Sequence, residues 1–133
     1  MTLPMDILLI EDEPHVRGAL SRSLTARGHA VTEGETAQDG LVAIGRARFD
    51  LLLLDINLPD ATGWDILRAR QSTPNSDVPA IVISAIPPSV ARLPEFRPFG
   101  VLHKPFPVDS LIRLVEKIEG IGVPMNSGRD AEV

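Results

Sequence analysis

The chain has 133 residues with 13 basic and 18 acidic side chains, a formal net charge of −5, and that length favours one domain with its own hydrophobic core. The absence of cysteine excludes disulfides, thiol catalysis and cysteine-bound metal clusters, and it is typical of a reducing, cytoplasmic location. The acidic balance and the 4% aromatic content disfavour nucleic acid as a partner, and no apolar run approaches the roughly 20 residues that span a membrane.

Short apolar runs alternate along the chain with segments of helical periodicity, which predicts βαβ units built around a parallel sheet. Five strands are predicted, at residues 5–10, 29–32, 50–55, 79–84 and 100–103. The third is the least ambiguous, since four consecutive leucines without polar alternation are typical of a central strand that is covered on both faces.

Four helices are predicted from their start signals and their apolar spacing. Pro14 opens the first helix, Thr36 caps the second, residues 64–70 form the third, and Pro107 opens the last. Glycine stops are expected at Gly28 and Gly120. The inward positions are predicted to be Val16, Leu20, Leu24, Ala37, Leu41, Ile44, Ile66, Leu67, Leu111, Ile112, Val115 and Ile118.

The segment before the last strand departs from this alternation. Pro87, Pro88, Pro94 and Pro98 each lack a backbone donor, so the helix expected there is predicted to be short or irregular, with at most a turn or two at residues 89–93. The domain is expected to span residues 1–119, and residues 120–133 show no periodicity and are expected to form a flexible tail.

The side chains with chemical potential follow the ends of four predicted strands. Glu11 and Asp12 follow the first strand, and Asp55 ends the third. Ser84 ends the fourth strand, and Lys104 follows the fifth. In a doubly wound parallel sheet, ligands bind beyond the carboxyl ends of the strands, where the strand order reverses. A five-stranded parallel sheet of order 2-1-3-4-5, with helices on both faces, would bring these side chains into one crevice.

Three carboxylates in one crevice repel one another, which favours a bound cation, and their oxygens suit Mg²⁺. A metal ion beside a lysine and a hydroxyl suits a phosphoryl group in transfer, and Asp55 is the best candidate nucleophile. Taken singly, Glu11 and Asp12 also fit a solvated helix start, and Lys104 fits a surface charge. The combination at four strand ends favours a site.

The same residues lie in four motifs: ILLIEDEP at 7–14, DLLLLDINLPDATG at 50–63, IVISA at 81–85 and HKPF at 103–106. In this order they resemble the receiver domains of two-component response regulators. The resemblance extends from residue 5 to about residue 119. Within that family, the chain is similar to stand-alone receivers and hybrid-kinase receivers in which the fourth helix is degenerate.

The resemblance implies that Asp55 accepts a phosphoryl group from a histidine kinase or a histidine phosphotransfer protein. It implies a Mg²⁺ ion held by Glu11, Asp12, Asp55 and the main-chain carbonyl of Asn57. Such a protein is a signalling receiver that catalyses only its own phosphorylation and slow dephosphorylation, so it is not an enzyme in the ordinary sense.

The resemblance further implies that Ser84 and Lys104 bind the phosphoryl oxygens and that Lys104-Pro105 is a cis peptide bond. Phosphorylation would then switch a surface that binds a downstream protein target. Val101 departs from the family, which usually has an aromatic residue three positions before the lysine, so the way in which this surface switches stays open.

Two other functions are considered. A receiver-like interaction module could keep the fold without being phosphorylated. An aspartate-nucleophile phosphatase of the haloacid-dehalogenase type is less expected, because Asn57 stands where such enzymes have a second acid.

Overall fold

The computed structural model of the chain describes residues 3–85 and 95–122, without the side chains of residues 121 and 122. These ranges contain a five-stranded parallel sheet of order β2-β1-β3-β4-β5, which confirms the predicted order. The strands are β1 (Asp6–Ile10), β2 (Ala30–Gly34), β3 (Leu51–Asp55), β4 (Ala80–Ser84) and β5 (Gly100–His103).

The helices of these ranges are numbered in chain order. They are α1 (Pro14–Ala26), α2 (Ala37–Arg46), α3 (Gly63–Ala69) and α4 (Val108–Gly122), with a 3-10 turn at Arg70–Ser72 after α3. Among the residues that the structure describes, no helix combines the length and hydropathy of a membrane-spanning segment.

The helix starts are built as the sequence predicts. Pro14 lies in the first turn of α1, and the Thr36 hydroxyl accepts a hydrogen bond from the Asp39 main chain at the start of α2. Gly28 follows α1 with a φ of 94°, a conformation that costs other residues strain. These local signals set the helix ends from which the chain returns to the sheet.

The sheet has a hydrophobic core on each face. Alternate residues of β1, β3 and β4 point to opposite faces, so the unbroken apolar run of β3 is buried on both sides, as predicted. One core lies under α2 and α3, and the other lies under α1 and α4. This doubly wound arrangement leaves the ends of the strands free to carry a site.

Two predicted boundaries are wrong by a few residues. The second strand covers Ala30–Gly34 instead of 29–32, because β2 pairs with β1 from Asp6 opposite Ala30 to Ile10 opposite Gly34. The last helix continues through Gly122, since the backbone of Gly120 does not take the left-handed conformation of a helix stop.

The prediction for the proline-rich segment falls mostly outside the described residues. The expected turn at residues 89–93 lies wholly outside them. Glu95 and Phe96, which are described, have helical backbone conformation. The Phe96 ring stacks on Trp64 with the ring centroids 5.1 Å apart, so this end of the segment packs on α3.

Candidate functional site

Three carboxylates meet at the carboxyl ends of β1 and β3, where the strand order reverses. β1 and β3 are neighbours with Ile10 opposite Leu54, so the residues that follow Ile10 lie beside Asp55. Glu11, Asp12 and Asp55 each place one carboxylate oxygen within 4.8 Å of the other two. Glu11 is 0% exposed and Asp55 is 1% exposed, so these two carboxylates are withdrawn from water, whereas Asp12 is half-buried.

Lys104, which follows β5, reaches across to this cluster. Its Nζ lies 3.0 Å from Oδ2 of Asp55, 3.0 Å from both carboxylate oxygens of Glu11 and 2.8 Å from Oε1 of Glu13. One ammonium group therefore faces three carboxylates, so the local charge remains negative. Lys104 and Glu11 are 93 positions apart in the sequence, and only the parallel sheet brings them together.

The electrostatics of the cluster follow from burial and charge. Burial raises the pKa of Glu11 from 4.5 to about 7, the Asp55 charge adds to this, and hydrogen bonds from the Glu13 main chain and Lys104 oppose it. Burial alone would lower the pKa of Lys104, but hydrogen bonds to Glu13, Glu11 and Asp55 outweigh it and raise that pKa above its ordinary value. Lys104 is thus held as a cation, whereas Glu11 sits close to its titration point at neutral pH.

The loop after β3 fixes the Asp55 side chain through a main-chain hydrogen bond. The main-chain N–H of Asn57 donates to Oδ1 of Asp55 at 2.8 Å. Asn57 and Thr62 form an antiparallel bridge, and the N–H of Gly63 donates to the carbonyl of Ile56 at 3.1 Å, so the loop closes on itself. A Cβ at Gly63 would lie 2.5 Å from the main-chain oxygen of Asp55, which explains why a glycine opens α3.

Ser84 ends β4 and faces the same loop. Its hydroxyl donates to Oδ1 of Asn57 at 3.3 Å, and its main-chain carbonyl accepts from the N–H of Lys104 at 2.8 Å. Ser84 is buried, and the Lys104-Pro105 peptide bond that follows is cis, as the family resemblance implies. Ser84 and Lys104 therefore approach the crevice from β4 and β5, opposite the acids of β1.

The donor set fits a hard divalent cation. Three carboxylates supply oxygens within reach of one ion, and Mg²⁺ binds through one or two carboxylates while retaining water. Oε1 of Glu11 is buried and accepts no aligned hydrogen bond, although Lys104 lies 3.0 Å away, so this oxygen has unused acceptor capacity. A cation at the cluster would favour ionised Glu11 and offset the charge repulsion.

The structure brings all six residues singled out in the sequence to one end of the sheet, and it adds two that sequence reasoning missed. Glu13, which the sequence analysis does not single out, contacts Lys104. Arg17 donates from Nη1 to the main-chain carbonyl of Glu11 at 2.8 Å and so holds the loop after β1. Glu13 continues the acidic run of Glu11 and Asp12, which is a signal in the sequence, whereas no pattern there points to Arg17.

Comparison with known proteins agrees with this geometry. The chain matches the response regulator receiver domain over residues 7–116, which is most of its length. The chain therefore belongs to the receiver domain family of response regulators, the signalling modules of two-component systems.

Individual proteins are similar to this chain in sequence or in structure. The transcriptional regulatory protein AfsQ1 of Streptomyces coelicolor is 38% identical over 79 residues, which are 59% of this chain and 34% of AfsQ1, so the chain spans about a third of that relative. The chemotaxis response regulator CheY4 of Vibrio cholerae shows the same fold, with a TM-score of 0.80 at 21% identity over 87% of this chain and 99% of its own. The receiver domain of the sensor histidine kinase PA1611 of Pseudomonas aeruginosa has a TM-score of 0.78 at 26% identity, with 89% of this chain and 99% of its own covered, and its structure holds a magnesium ion in the active-site cleft.

Proposed function

We propose that the chain is a phosphoryl-accepting receiver in which Asp55 takes a phosphoryl group from the phosphohistidine of a histidine kinase or a histidine phosphotransfer protein. The observation that carries this proposal is the position of the buried Asp55 carboxylate, 3.0 Å from the Lys104 ammonium and within 4.8 Å of two further acids. A carboxylate held between a fixed cation and a cation-binding cluster suits nucleophilic attack on phosphorus.

In this step a carboxylate oxygen of Asp55 attacks the phosphorus atom. The P–O bond to Asp55 forms as the P–N bond breaks, and the electron pair of the broken bond stays on the imidazole nitrogen. The other ring nitrogen of the phosphohistidine is protonated before the P–N bond breaks, so the products are an aspartyl phosphate and a neutral imidazole. The Asn57 main chain, which donates to Oδ1, keeps the carboxylate oriented for this attack.

Glu11, Asp12 and Asp55 would hold Mg²⁺, together with the main-chain carbonyl of Asn57. The bound ion supplies positive charge that neutralises the attacking carboxylate and the phosphoryl oxygens. The magnesium ion in the PA1611 cleft supports this assignment. Lys104 would bind a phosphoryl oxygen, because any group bonded to Asp55 comes within reach of its ammonium, and the Ser84 hydroxyl would bind another from β4.

Phosphorylation is proposed to act as a timed signal that the chain itself ends by slow hydrolysis, in the cytoplasm, where the kinase partner acts. New acceptor oxygens on Asp55 would attract the Ser84 hydroxyl and the Lys104 ammonium and so shift the ends of β4 and β5. That shift would change the binding of a downstream protein target. Val101 on β5 is 38% exposed and lacks the aromatic ring usual for the family, so this chain would present a smaller apolar surface there.

Incubation with acetyl phosphate and Mg²⁺, followed by intact-mass measurement, tests the proposal. The wild-type chain is expected to gain the mass of one phosphoryl group, and the Asp55→Asn variant, which keeps the shape of the side chain, is expected to gain none. No gain in the wild type would instead favour a receiver fold that serves as an interaction module without phosphate. An equal gain in both proteins would refute Asp55 as the acceptor.

A further inference from the structure

Asp60, at the tip of the loop after β3, joins that loop to a helix more than 20 residues away. Its Oδ1 accepts a hydrogen bond from the main-chain N–H of Ala37 at 2.8 Å, and its Oδ2 accepts one from Gln38 at 3.0 Å. These are the first two residues of α2. The hydrogen bond from Ala37 is the main reason that the pKa of Asp60 lies below its ordinary value, so the carboxylate is ionised at neutral pH.

The start of α2 has its own local cap, which makes the Asp60 contact additional. The Thr36 hydroxyl accepts from the N–H of Asp39, and Oδ2 of Asp39 accepts from the N–H groups of Glu35 and Thr36. This capping box leaves the N–H groups of Ala37 and Gln38 for a partner outside the helix. Asp60 supplies that partner from a different part of the chain.

α2 is a firm anchor, because it packs closely on the core. A Cβ at Gly40 would lie 2.6 Å from Cδ1 of Ile66 and 3.2 Å from Cγ1 of Ile10, so the helix backbone sits directly on α3 and β1. Ile44 of the same helix is fully buried. The loop that carries Asp60 is thus hydrogen-bonded to a helix that is packed tightly on the core.

The other end of the loop is the proposed metal site. Asn57 and Thr62 pair across the loop, and the N–H of Asn57 donates to Asp55 at 2.8 Å. Asp60 lies between these paired residues. Loss of the Asp60 hydrogen bonds to α2 would therefore change the position of the Asn57 backbone. The carbonyl of Asn57 is the proposed main-chain ligand.

We propose that Asp60 is a positioning residue for the metal site: by bridging the loop after β3 to the N–H groups of Ala37 and Gln38, it fixes the Asn57 carbonyl for Mg²⁺. This inference rests on the proposed function, because it assigns Asn57 a place among the metal ligands. It extends that function by coupling the metal site to α2.

Mg²⁺ affinity, measured by titration calorimetry, tests the coupling with a matched pair of variants. Asp60→Asn and Asp39→Asn each remove one carboxylate charge from the same exposed helix start, but only the first weakens the link to the loop. Asp60→Asn is expected to raise the Kd for Mg²⁺ by roughly 10-fold, the lower end of the effect of losing a residue that orients a metal ligand. Asp39→Asn is expected to leave the Kd within about twofold of wild type, since its contacts stay within the α2 start.

Amide hydrogen exchange gives a second readout. Because coupling between two sites is reciprocal, Mg²⁺ is expected to slow exchange at Ala37 and Gln38 in the wild type and to have no effect there in Asp60→Asn. Equal Kd values for the two variants, or exchange at these amides that ignores Mg²⁺ in the wild type, would overturn the positioning role.

Both readouts use Mg²⁺ alone, so they separate this inference from the proposed function. A chain whose Mg²⁺ affinity falls in Asp60→Asn but whose wild type gains no phosphate would keep the positioning role and refute the phosphoryl acceptor. Phosphate gain on Asp55 together with unchanged Mg²⁺ affinity in Asp60→Asn would support the phosphoryl acceptor and refute the positioning role.

Discussion

Nζ of Lys104 lies 3.0 Å from Oδ2 of Asp55, and the same nitrogen lies 3.0 Å from both carboxylate oxygens of Glu11. One ammonium group thus contacts both the proposed nucleophile and a proposed metal ligand. A cation in this position would stabilise charge on an incoming phosphoryl group, but it would also compete with a metal ion for the carboxylates.

Replacement of Lys104 should separate these two effects. In Lys104→Met, Mg²⁺ affinity is expected to stay the same or to increase, while the rate of phosphorylation by acetyl phosphate falls by about 100-fold, as for the loss of one transition-state donor. Calorimetry and time-resolved intact mass measure the two quantities. Lys117→Met, which removes an exposed lysine of α4, is the control and should change neither. Weaker Mg²⁺ binding with a normal phosphorylation rate in Lys104→Met would contradict the assignment.

The raised pKa of Glu11 predicts a pH dependence of stability. Since its pKa of about 7 lies above the ordinary 4.5, the folded state prefers protonated Glu11. The resulting stabilisation is present in full below about pH 4.5 and is lost as pH rises through 7. Without Mg²⁺, the free energy of unfolding should therefore fall between pH 5 and 7 by at most about 1.4 kcal/mol per pH unit.

Two comparisons check that Glu11 causes this slope. Urea unfolding of Glu11→Gln should lose the part of the slope that Glu11 contributes, because the amide does not titrate. Saturating Mg²⁺ should add stability as pH rises, since the ion binds the ionised form. A slope that persists unchanged in Glu11→Gln would show that another group titrates.

Gly63 is predicted to be necessary for the site as well as for the fold. A methyl group there would meet the main-chain oxygen of Asp55 at 2.5 Å, so Gly63→Ala must displace either β3 or α3. We expect a loss of about 2 kcal/mol in the free energy of unfolding and slower phosphorylation. Gly45→Ala is the matched control, because its Cβ would enter open space on α2, and it should stabilise the chain by about 0.5 kcal/mol. Similar stability of the two variants in urea unfolding would refute the close approach.

Asn75 is predicted to matter for stability and not for the chemistry. Its buried side chain accepts from the N–H of Phe49 at 2.7 Å and donates to the carbonyls of Ile44 and Ala47 at 2.8 Å each. Asn75→Ala leaves these groups without that partner and should cost about 3 kcal/mol in urea unfolding. The exposed neighbour variant Ser76→Ala should change stability by less than about 0.5 kcal/mol. An altered phosphorylation rate in folded Asn75→Ala would contradict a purely structural role.

Much of this architecture could be predicted because it depends on local sequence patterns. The unbroken leucine run of β3 indicates a strand covered on both faces, and Thr36 marks a helix start by its hydroxyl. Asp55 and Lys104 each lie at the end of a strand. A parallel sheet of order 2-1-3-4-5 therefore predicts that they lie close together. The structure confirms that order, while the chemical roles of the residues stay predictions.

The rest depends on distances that no single segment contains. Glycine lowers helix propensity, but Gly40 is required where α2 lies on Ile66. Asp60 lies in a turn-like stretch of sequence, and the hydrogen bond that it accepts from Ala37 forms only after two βα units have packed side by side. Patterns along the chain report what a residue prefers, and they do not report which distant backbone it will meet.

The chemical identity of residue 55 after phosphorylation tests the central claim most directly. Borohydride reduces an acyl phosphate on aspartate to the alcohol, so protein treated with acetyl phosphate and Mg²⁺ and then reduced should carry homoserine at position 55 when its peptides are sequenced. Omission of Mg²⁺ should abolish that product. Homoserine at Asp12 or another aspartate in place of Asp55, or reduction that leaves Asp55 intact in a phosphorylated chain, would contradict the account.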